Sequence, residues 1–333
     1  MINKNEPNIW RLQTRTASED GKSISDFCLN NKIIAIGWSL HDDTLSEISI
    51  SEEEIVKLKS ERYNISNFED YSLVYKKFYK ENVNTQIYKL YNEIKINDLI
   101  WMRHNGEYYL GRVGENSKWQ YCADNESMKK DAGNQRTDIE WINIGGESDV
   151  PGGITTSFIR GRPIQHIWKE GIKEFSMYIY NEKTKSDKYP LPKIDNKNII
   201  DLFYHYIDPL SCEDLLCMYL YKNYGYICIP STNKKSTSLY ECVLLNPQNG
   251  ERVYIQVKCG NVNIDAEKYK TLNGKSYLFT SNGVVYNLNS ATNIKVINSV
   301  ELFKFALDEK NNNILPYNIL KWKDVIRKMQ NSK

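Results

Sequence analysis

The chain has 333 residues, of which 41% are hydrophobic and 26% charged, a composition typical of a globular protein with enough apolar material for about two domains. Its 44 basic and 42 acidic side chains leave a net charge of +2, so whole-chain charge does not indicate a nucleic-acid partner. No stretch approaches the ~18 apolar residues of a membrane span, and the start lacks the apolar core of a signal peptide, so we expect a cytoplasmic protein without a membrane partner.

The charge is unevenly distributed along the chain. Residues 1–180 hold 23 basic and 27 acidic side chains, whereas residues 181–333 hold 21 and 15. The change falls in a polar run, NEKTKSDKYPLPKIDNK, whose two prolines are typical of a linker. We therefore predict a first domain at residues 1–175, a linker at 176–198 and a second, more basic domain at 199–333.

The first half begins with NIWRLQ, and the apolar run KIIAIGWSL at residues 32–40 predicts a buried strand. Residues 46–95 are helical in pattern, with Ser51 and Glu54 forming a capping box and a second periodic stretch from Tyr71 to Leu90. Four strand-like segments follow from residue 97, namely NDLIWMRHNG, EYYLGRVG, KWQYCAD and TDIEWINIG. The turn residues between them predict a meander that forms a small barrel or curled sheet.

Four elements of this half carry a resemblance to a known family: the IGW element, the D-x-I-W strand, the G-R-V strand and the I-E-W strand. In this order they resemble the EVE-like branch of the PUA and YTH superfamily over about residues 5–170. The resemblance implies a PUA-like small β-barrel with helices that binds nucleic acid and takes a flipped-out, modified base into an aromatic cage. Flipping costs a few kcal/mol of unstacking, which stacking on rings and hydrogen bonds to the base edge recover.

Aromatic residues at strand ends are the candidates for this cage. Trp38 closes the IGW element, and Trp119 and Tyr121 are two apart on one strand and so share a face. Trp10 and Trp101 are further candidates. For all four tryptophans, Trp38 and Trp119 included, the alternative is packing in the core. Arg160 and Arg162, in FIRGRPIQHI, are candidates for contacts with the nucleic-acid backbone, the alternative being a solvated turn.

The second half alternates helical and strand-like segments. IIDLFYHYI is helical, and a second helix is predicted from Pro209 to a stop at Gly225. The strand YICIPS follows, and then STSLYECVLLN and ERVYIQVKCG form a hairpin across the turn Asn249-Gly250. A helical NVNIDAEKYKTL, a strand KSYLFTSNG, the strand-like GVVYNL and NIKVIN, and a final helix from Val300 complete the pattern, which predicts an α/β core.

Four polar residues of this half are expected to meet at one edge of the sheet. Glu213 is predicted in the first turn of its helix, Glu241 on the first hairpin strand, and Gln256 and Lys258 on one face of the second strand. Carboxylate and carboxamide oxygens suit Mg²⁺ or Mn²⁺. A lysine beside such an ion can orient water and stabilise the charge that develops during phosphodiester hydrolysis.

This spacing resembles the PD-(D/E)xK nuclease superfamily, and in particular its Mrr-like restriction endonucleases, over about residues 200–308. The resemblance implies a mixed sheet flanked by helices, with Glu213, Glu241 and Gln256 as metal ligands and Glu213, Glu241, Gln256 and Lys258 as the catalytic set. The sequence departs from the commoner pattern because Glu241 replaces an Asp and the neutral Gln256 replaces a Glu.

Together these patterns predict a two-domain α+β protein acting as a bacterial, modification-dependent (type IV-like) DNA endonuclease in anti-phage defence. Its partner would be double-stranded DNA carrying modified bases, and cutting both strands would require a homodimer or two binding events. Two alternatives stay open: a nuclease fold with weak or no activity that only binds nucleic acid, and a nuclease that acts on RNA or branched DNA.

Other motifs favour simpler interpretations. LNGKS at residues 272–276 resembles the end of a P-loop, but residue 269 is Tyr where the first glycine belongs. The four histidines have no metal-binding spacing. Seven cysteines at irregular spacing, without a C-x-x-C pair, argue against both a disulfide framework and a structural zinc site.

Overall fold

The computed structural model describes residues 6–14, 24–46, 50–232, 239–288 and 293–331. The chain divides into two compact units. The first unit comprises Met1–Glu147, Ile154–Trp168 and Ile179–Tyr189, and the second comprises Ser148–Gly153, Lys169–Tyr178 and Pro190–Lys333. Helices and strands are mixed in both, so the fold is of the expected α+β class in two units.

The described part of residues 6–184 contains eight short strands and eight α-helices. The strands are β1 (Ile9–Leu12), β2 (Ile34–Ile36), β3 (Leu99–His104), β4 (Glu107–Val113), β5 (Trp119–Tyr121), β6 (Asn134–Arg136), β7 (Ile139–Gly145) and β8 (Ile164–His166). The helices are α1 (Ile24–Asn31), α2 (Asp42–Ser46), α3 (Glu52–Glu61), α4 (Phe68–Tyr79), α5 (Thr85–Tyr88), α6 (Asn125–Lys129), α7 (Gly152–Ser157) and α8 (Ile172–Thr184).

The eight strands form two sheets, where the sequence predicted one meander. The larger sheet has the order β7-β4-β3-β1-β8, with β1 parallel to β3 and the other pairs antiparallel. The smaller sheet has the antiparallel order β2-β6-β5. Its middle strand, Asn134–Arg136, is polar throughout, so hydrophobic periodicity did not predict it. Strand β5 pairs with this strand and not with β3, β4 or β7, the other strands of the predicted meander.

The predicted helical region is largely confirmed by α3, α4 and α5, which are separated by non-helical segments at residues 65–67 and 80–84, while residues 47–49 lie outside the described residues. The Ser51 hydroxyl accepts a hydrogen bond from the Glu54 backbone N–H at 3.2 Å at the start of α3, as the capping box predicts. The predicted stretch from Tyr71 to Leu90 is interrupted because α4 ends at Lys80, whose φ of +55° lies in the left-handed region. A separate short helix, α5, follows the break.

Residues 176–198, predicted as a linker, begin inside α8. The Tyr180 hydroxyl donates to Glu140 at 2.8 Å, and the Tyr189 hydroxyl donates to the Asn97 carbonyl at 2.8 Å. Both tyrosine rings are buried, so residues 179–189 are an integral part of the first unit. The linker prediction failed here because the segment is polar in composition, yet the rings of Tyr180 and Tyr189 are buried in the first unit and their hydroxyls form hydrogen bonds there.

The second unit contains a five-stranded sheet. After α9 (Ile199–Tyr206) and α10 (Pro209–Tyr224), its elements are β9 (Ile227–Cys228), β10 (Cys242–Leu245), β11 (Arg252–Lys258), β12 (Ile264–Asp265), β13 (Lys275–Thr280), β14 (Val285–Tyr286), β15 (Ile294–Val296), α11 (Ser299–Leu307) and α12 (Tyr317–Asn331). The sheet order is β15-β13-β11-β10-β9, with β9, β10 and β11 antiparallel and β11, β13 and β15 parallel. Strands β12 and β14 form a separate parallel pair.

Most local signals of this half are confirmed. Helix α10 begins at Pro209, where the Asp208 side chain accepts from the Ser211 N–H at 3.0 Å, and it ends at Gly225, whose φ is +71°. The β10–β11 hairpin turns at Gly250, with φ +72°. The final helical region is two helices, α11 and α12.

The predicted helix at residues 261–272 is wrong. The segment holds β12 and a short 3₁₀ turn at Ala266–Tyr269. The Asn263 side chain accepts from the Val284 N–H at 2.9 Å, and the Asp265 side chain accepts from the Glu267 N–H at 3.2 Å. Such side-chain bonds to the backbone compete with helix formation and outweigh the apolar periodicity.

Candidate active site and base pocket

The hairpin of the second unit brings three of the four predicted catalytic residues together. Glu241 immediately precedes β10, and its backbone N–H donates to the Ile255 carbonyl at 2.8 Å, which extends the hairpin pairing by one residue. Gln256 and Lys258 lie two apart on β11 and therefore share a face. The hydrogen-bond pairing of the hairpin thus sets the position of Glu241 against both.

These three side chains meet at one carboxylate oxygen. The Gln256 amide donates to Glu241 Oε1 at 2.6 Å, and the Lys258 ammonium donates to the same atom at 3.2 Å. Gln256 is 1% exposed, whereas the Lys258 side chain is 39% exposed. The group is therefore buried in the sheet at Gln256 and open to solvent at Lys258.

Glu213 belongs to the same electrostatic group. It is half-buried on α10, in the second turn and not the first, because the helix already begins at Pro209. Burial raises the pKa of Glu213 to about 7, and the negative charges of Glu241 and Asp214 contribute to the rise, while Lys258 opposes it. Near neutral pH this carboxyl is therefore partly protonated.

The donor atoms around Gln256 fit a hard divalent cation. Gln256 Oε1 is buried and has no hydrogen-bond partner. Its amide nitrogen faces Glu241 Oε1 and also lies 3.4 Å from the Val257 carbonyl oxygen. The partly positive N–H group of this amide thus already faces two oxygens, and a rotation of the amide by half a turn would present a third oxygen there. Carboxylate, carboxamide and carbonyl oxygens are the ligands that Mg²⁺ and Mn²⁺ prefer.

The first unit contains a cavity of about 300 Å³ at the end of β2. This volume is at the lower end of the range for small-molecule sites. Its lining includes the side chains of Trp38, His41, Tyr79 and Asp131, together with Gly37 and Pro163. Trp38 lies in the left-handed region with φ +61°, so the chain turns sharply at the point where the sequence predicted the cage.

A carboxylate stands in this cavity close to the turn. A Cβ on Gly37 would lie 2.5 Å from Asp131 Oδ2, so only glycine leaves room for this approach. Asp131 Oδ1 accepts from the Ser39 N–H at 2.8 Å and lies 3.4 Å from His41 Nε2. Partial burial raises the pKa of Asp131, but these two partners outweigh it and hold the pKa below its ordinary value. The cavity therefore offers an ionised acceptor.

Tyr79 is the second aromatic side chain of the cavity. Its hydroxyl donates to the Ser39 carbonyl at 2.8 Å. Burial raises the pKa of Tyr79 to about 12, so the hydroxyl stays protonated. Sequence reasoning missed Tyr79, His41 and Asp131, because they are distant from one another along the chain and no motif links them.

Two predicted cage residues are core residues instead. Trp10 is 4% exposed, and its indole N–H donates to Asp98 at 2.8 Å. Tyr121 is 8% exposed, and its hydroxyl accepts from the Leu40 N–H at 2.8 Å. The polar tips of both rings are satisfied inside the unit, which corrects their assignment to the cage. Trp101, the further candidate, is fully buried.

Trp119 is also absent from the cavity lining. Its ring contacts Phe68 and Tyr71 edge to face, with centroid distances of 5.2 and 5.5 Å. Tyr121 contacts the same Tyr71 at 5.1 Å, so strand alternation correctly predicted that the two β5 rings share a face. That face packs on the apolar core, and of the predicted cage only Trp38 lines the cavity.

The turn that carries Arg160 and Arg162 is held from inside by Arg11. The buried Arg11 guanidinium donates to the backbone carbonyls of Arg160, at 3.4 Å, and Arg162. Gly161 has φ +132°, and a Cβ there would lie 2.9 Å from the Arg11 guanidinium. The side chains of Arg160 and Arg162 are exposed, and Pro163, the next residue, lines the cavity. The backbone of this turn is therefore held by hydrogen bonds and leads directly into the cavity lining at Pro163, while Arg160 and Arg162 are not themselves among the lining residues.

Comparison with known proteins adds no relative. No protein-family model, curated protein or solved structure matches the chain. Among the described residues, no helix has the length and apolarity needed to cross a membrane. The features that bear on function are therefore the group of side chains around Glu241 and the cavity beside Trp38.

Proposed function

We propose that this protein is a Mg²⁺-dependent DNA endonuclease that cuts DNA carrying a modified base. The observation that carries the proposal is the meeting of Gln256 and Lys258 at one oxygen of Glu241, with Glu213 in the same electrostatic group. Each alone has an ordinary structural explanation. Their joint presence at one end of a hairpin supports metal-assisted phosphodiester hydrolysis.

The roles follow from the chemistry of each side chain. Glu241, Gln256 and Glu213 would hold Mg²⁺ or Mn²⁺, which supplies Lewis-acid catalysis and a water nucleophile when bound. Lys258 reaches solvent from the face of β11 that also carries Gln256, so its ammonium would contact a scissile phosphate and stabilise the charge that develops on it. Because Gln256 is neutral, the metal would be held with one charge fewer than by an acidic pair.

The cavity of the first unit would take the flipped base. Trp38, which lines the cavity, would stack on the base, and the ionised Asp131 would accept a hydrogen bond from an N–H of the base edge. Arg160 and Arg162 would contact the flanking phosphates. The protein would act in the bacterial cytoplasm against phage DNA, and a double-strand break would need a homodimer or two binding events, because each site cuts one strand.

Cleavage of modified phage DNA tests the site. Glu241→Ala and Lys258→Ala should each lower the cleavage rate at least ~100-fold, the usual loss when a charge-stabilising group is removed, and EDTA should abolish cleavage. The matched controls are Glu251→Ala and Lys275→Ala, a similar surface pair at 3.1 Å in the same sheet, and they should retain full activity. Wild-type rates in both site variants would contradict the assignment.

A binding protein without nuclease activity is the second candidate. The observation that favours it is the neutral Gln256 at a ligand position, since a weaker field lowers metal affinity. This candidate predicts tight binding of modified DNA with no cleavage in either Mg²⁺ or Mn²⁺. A nuclease for RNA or branched DNA would instead cut those substrates with the same dependence on Lys258.

A further inference from the structure

Three cysteines of the second unit converge although their spacing gives no motif. Cys217 lies on α10, Cys228 on β9 and Cys242 on β10. The sulfur of Cys242 lies 4.0 Å from that of Cys217 and 3.9 Å from that of Cys228, and all three sulfurs lie within 4.8 Å of one another. Cys217 and Cys242 are buried, Cys228 is half-buried, and all three are free thiols.

The sheet register explains why they meet. Cys228 is paired with Leu244, and Leu244 shares a face of β10 with Cys242, two residues away. Cys228 and Cys242 are therefore diagonal neighbours on one face. Cys217 approaches this face from α10. The sequence has no C-x-x-C pair, and its cysteine spacing therefore did not predict a zinc site. The fold nevertheless brings the three thiols together from separate elements.

Two of the three sulfur separations match a common metal centre. Three sulfurs each bonded to one ion at about 2.3 Å lie about 3.8 Å apart in a tetrahedral site and about 4.0 Å apart in a trigonal one. The separations from Cys242 are 3.9 and 4.0 Å, and the third, between Cys217 and Cys228, is within 4.8 Å, so a small movement of the half-buried Cys228 would complete the site. Isolated buried cysteines usually serve as small apolar core residues, a role that does not require three thiols to converge.

We propose that Cys217, Cys228 and Cys242 bind one thiophilic cation, Zn²⁺, separately from the oxygen donors around Glu241. Soft thiolates select zinc over magnesium. Three protein ligands leave a fourth position for water or an external ligand, and Cys228 gives this side of the site access to solvent. The bound ion would link α10, which carries Glu213, to β10, the strand that begins directly after Glu241.

Cobalt substitution tests this site without reference to cleavage. The metal-stripped full-length protein should bind one Co²⁺ with the near-ultraviolet charge-transfer absorption of thiolate ligands, and Zn²⁺ should displace it. Cys228→Ser should lower Zn²⁺ affinity at least ~100-fold, since even loss of an outer partner costs 10–100-fold. Cys228 is half-buried on a two-residue strand, so this variant is the one most compatible with folding. Cys122→Ser, in the first unit, is the matched control and should bind as the wild type does.

The thermal midpoint supplies a second readout. Zn²⁺ should raise the midpoint of the wild type and of Cys122→Ser but not that of Cys228→Ser. Absence of the thiolate band, or an undiminished band in Cys228→Ser, would overturn the proposal. Glu241→Ala should keep the band, so failure of the nuclease proposal and failure of the zinc proposal are distinguishable.

Discussion

Replacing Glu213 by Gln should stabilise the metal-free protein at alkaline pH. The folded protein holds the Glu213 proton up to a pKa of about 7, whereas the ordinary value is 4.5. A carboxyl whose pKa is raised on folding contributes its full stability below the unfolded value, and this contribution is lost as pH rises through the folded value. The glutamine amide carries no charge at any of these pH values, so the Glu213→Gln variant does not incur this loss.

The expected magnitude follows from the pKa difference. Each pKa unit corresponds to ~1.4 kcal/mol, so the interval from 4.5 to about 7 corresponds to an upper limit of ~3.4 kcal/mol. Glu213 is half-buried, and solvent screening of its charge reduces the effect to roughly 1–2 kcal/mol. The variant should therefore exceed the wild type by roughly this amount at pH 8 and by much less at pH 5.

Urea denaturation in EDTA at several pH values between 5 and 8 measures this difference. Glu251→Gln is the matched control in the same unit, and it should not stabilise the protein, because it removes the partner of Lys275. A difference between Glu213→Gln and wild type that stays constant with pH would refute the reasoning. A variant less stable than wild type at pH 8 would refute it as well.

Three further outcomes test the two groups separately. Gln256→Glu should tighten Mg²⁺ binding about 10-fold in calorimetry, because it adds a negative charge beside Glu241; weaker binding would place the metal elsewhere. Trp38→Ala should weaken binding of modified DNA by ~1–3 kcal/mol in anisotropy titrations, the usual contribution of a stacked base, and leave unmodified DNA nearly unchanged; equal losses would mean that the ring only packs or stacks nonspecifically. Arg160→Ala combined with Arg162→Ala should lower the salt dependence of DNA binding by about two counterions, and an unchanged slope would remove both from the interface.

Local signals predicted much of the second unit. Helix α10 begins at Pro209 and ends at Gly225, as predicted, because a proline in the first turn and a glycine in the left-handed conformation affect only the helical turn beside them. The hairpin at Gly250 fixed the register that brings Glu241 to Gln256, so sequence order and strand alternation were sufficient to predict their proximity. The helix predicted at residues 261–272 failed because Asn263 and Asp265 bond the backbone, which periodicity does not detect.

The pocket of the first unit was less predictable. Trp10, Tyr121 and Trp38 are all aromatic residues, so residue type does not distinguish a ring in the core from a ring in the pocket. The distinction comes from the hydrogen-bond partners of the polar tips, which are Asp98 for Trp10 and the Leu40 N–H for Tyr121. Asp131 lies against Gly37, the residue before Trp38, although the two are far apart along the chain. A local sequence pattern does not predict such a contact. The convergence of the thiols has the same origin, since it depends on strand register.

The most direct test of the proposed function is digestion of two DNAs of identical sequence, one carrying phage-type modified bases and one unmodified, with Mg²⁺ and with EDTA. We predict that the protein cuts the modified DNA in Mg²⁺ and leaves the unmodified DNA and all EDTA samples intact. Cleavage of both DNAs at equal rates would contradict recognition of a modified base by the first unit. Binding without cleavage in Mg²⁺ or Mn²⁺ would contradict the assignment of Glu213, Glu241, Gln256 and Lys258 as a nuclease site.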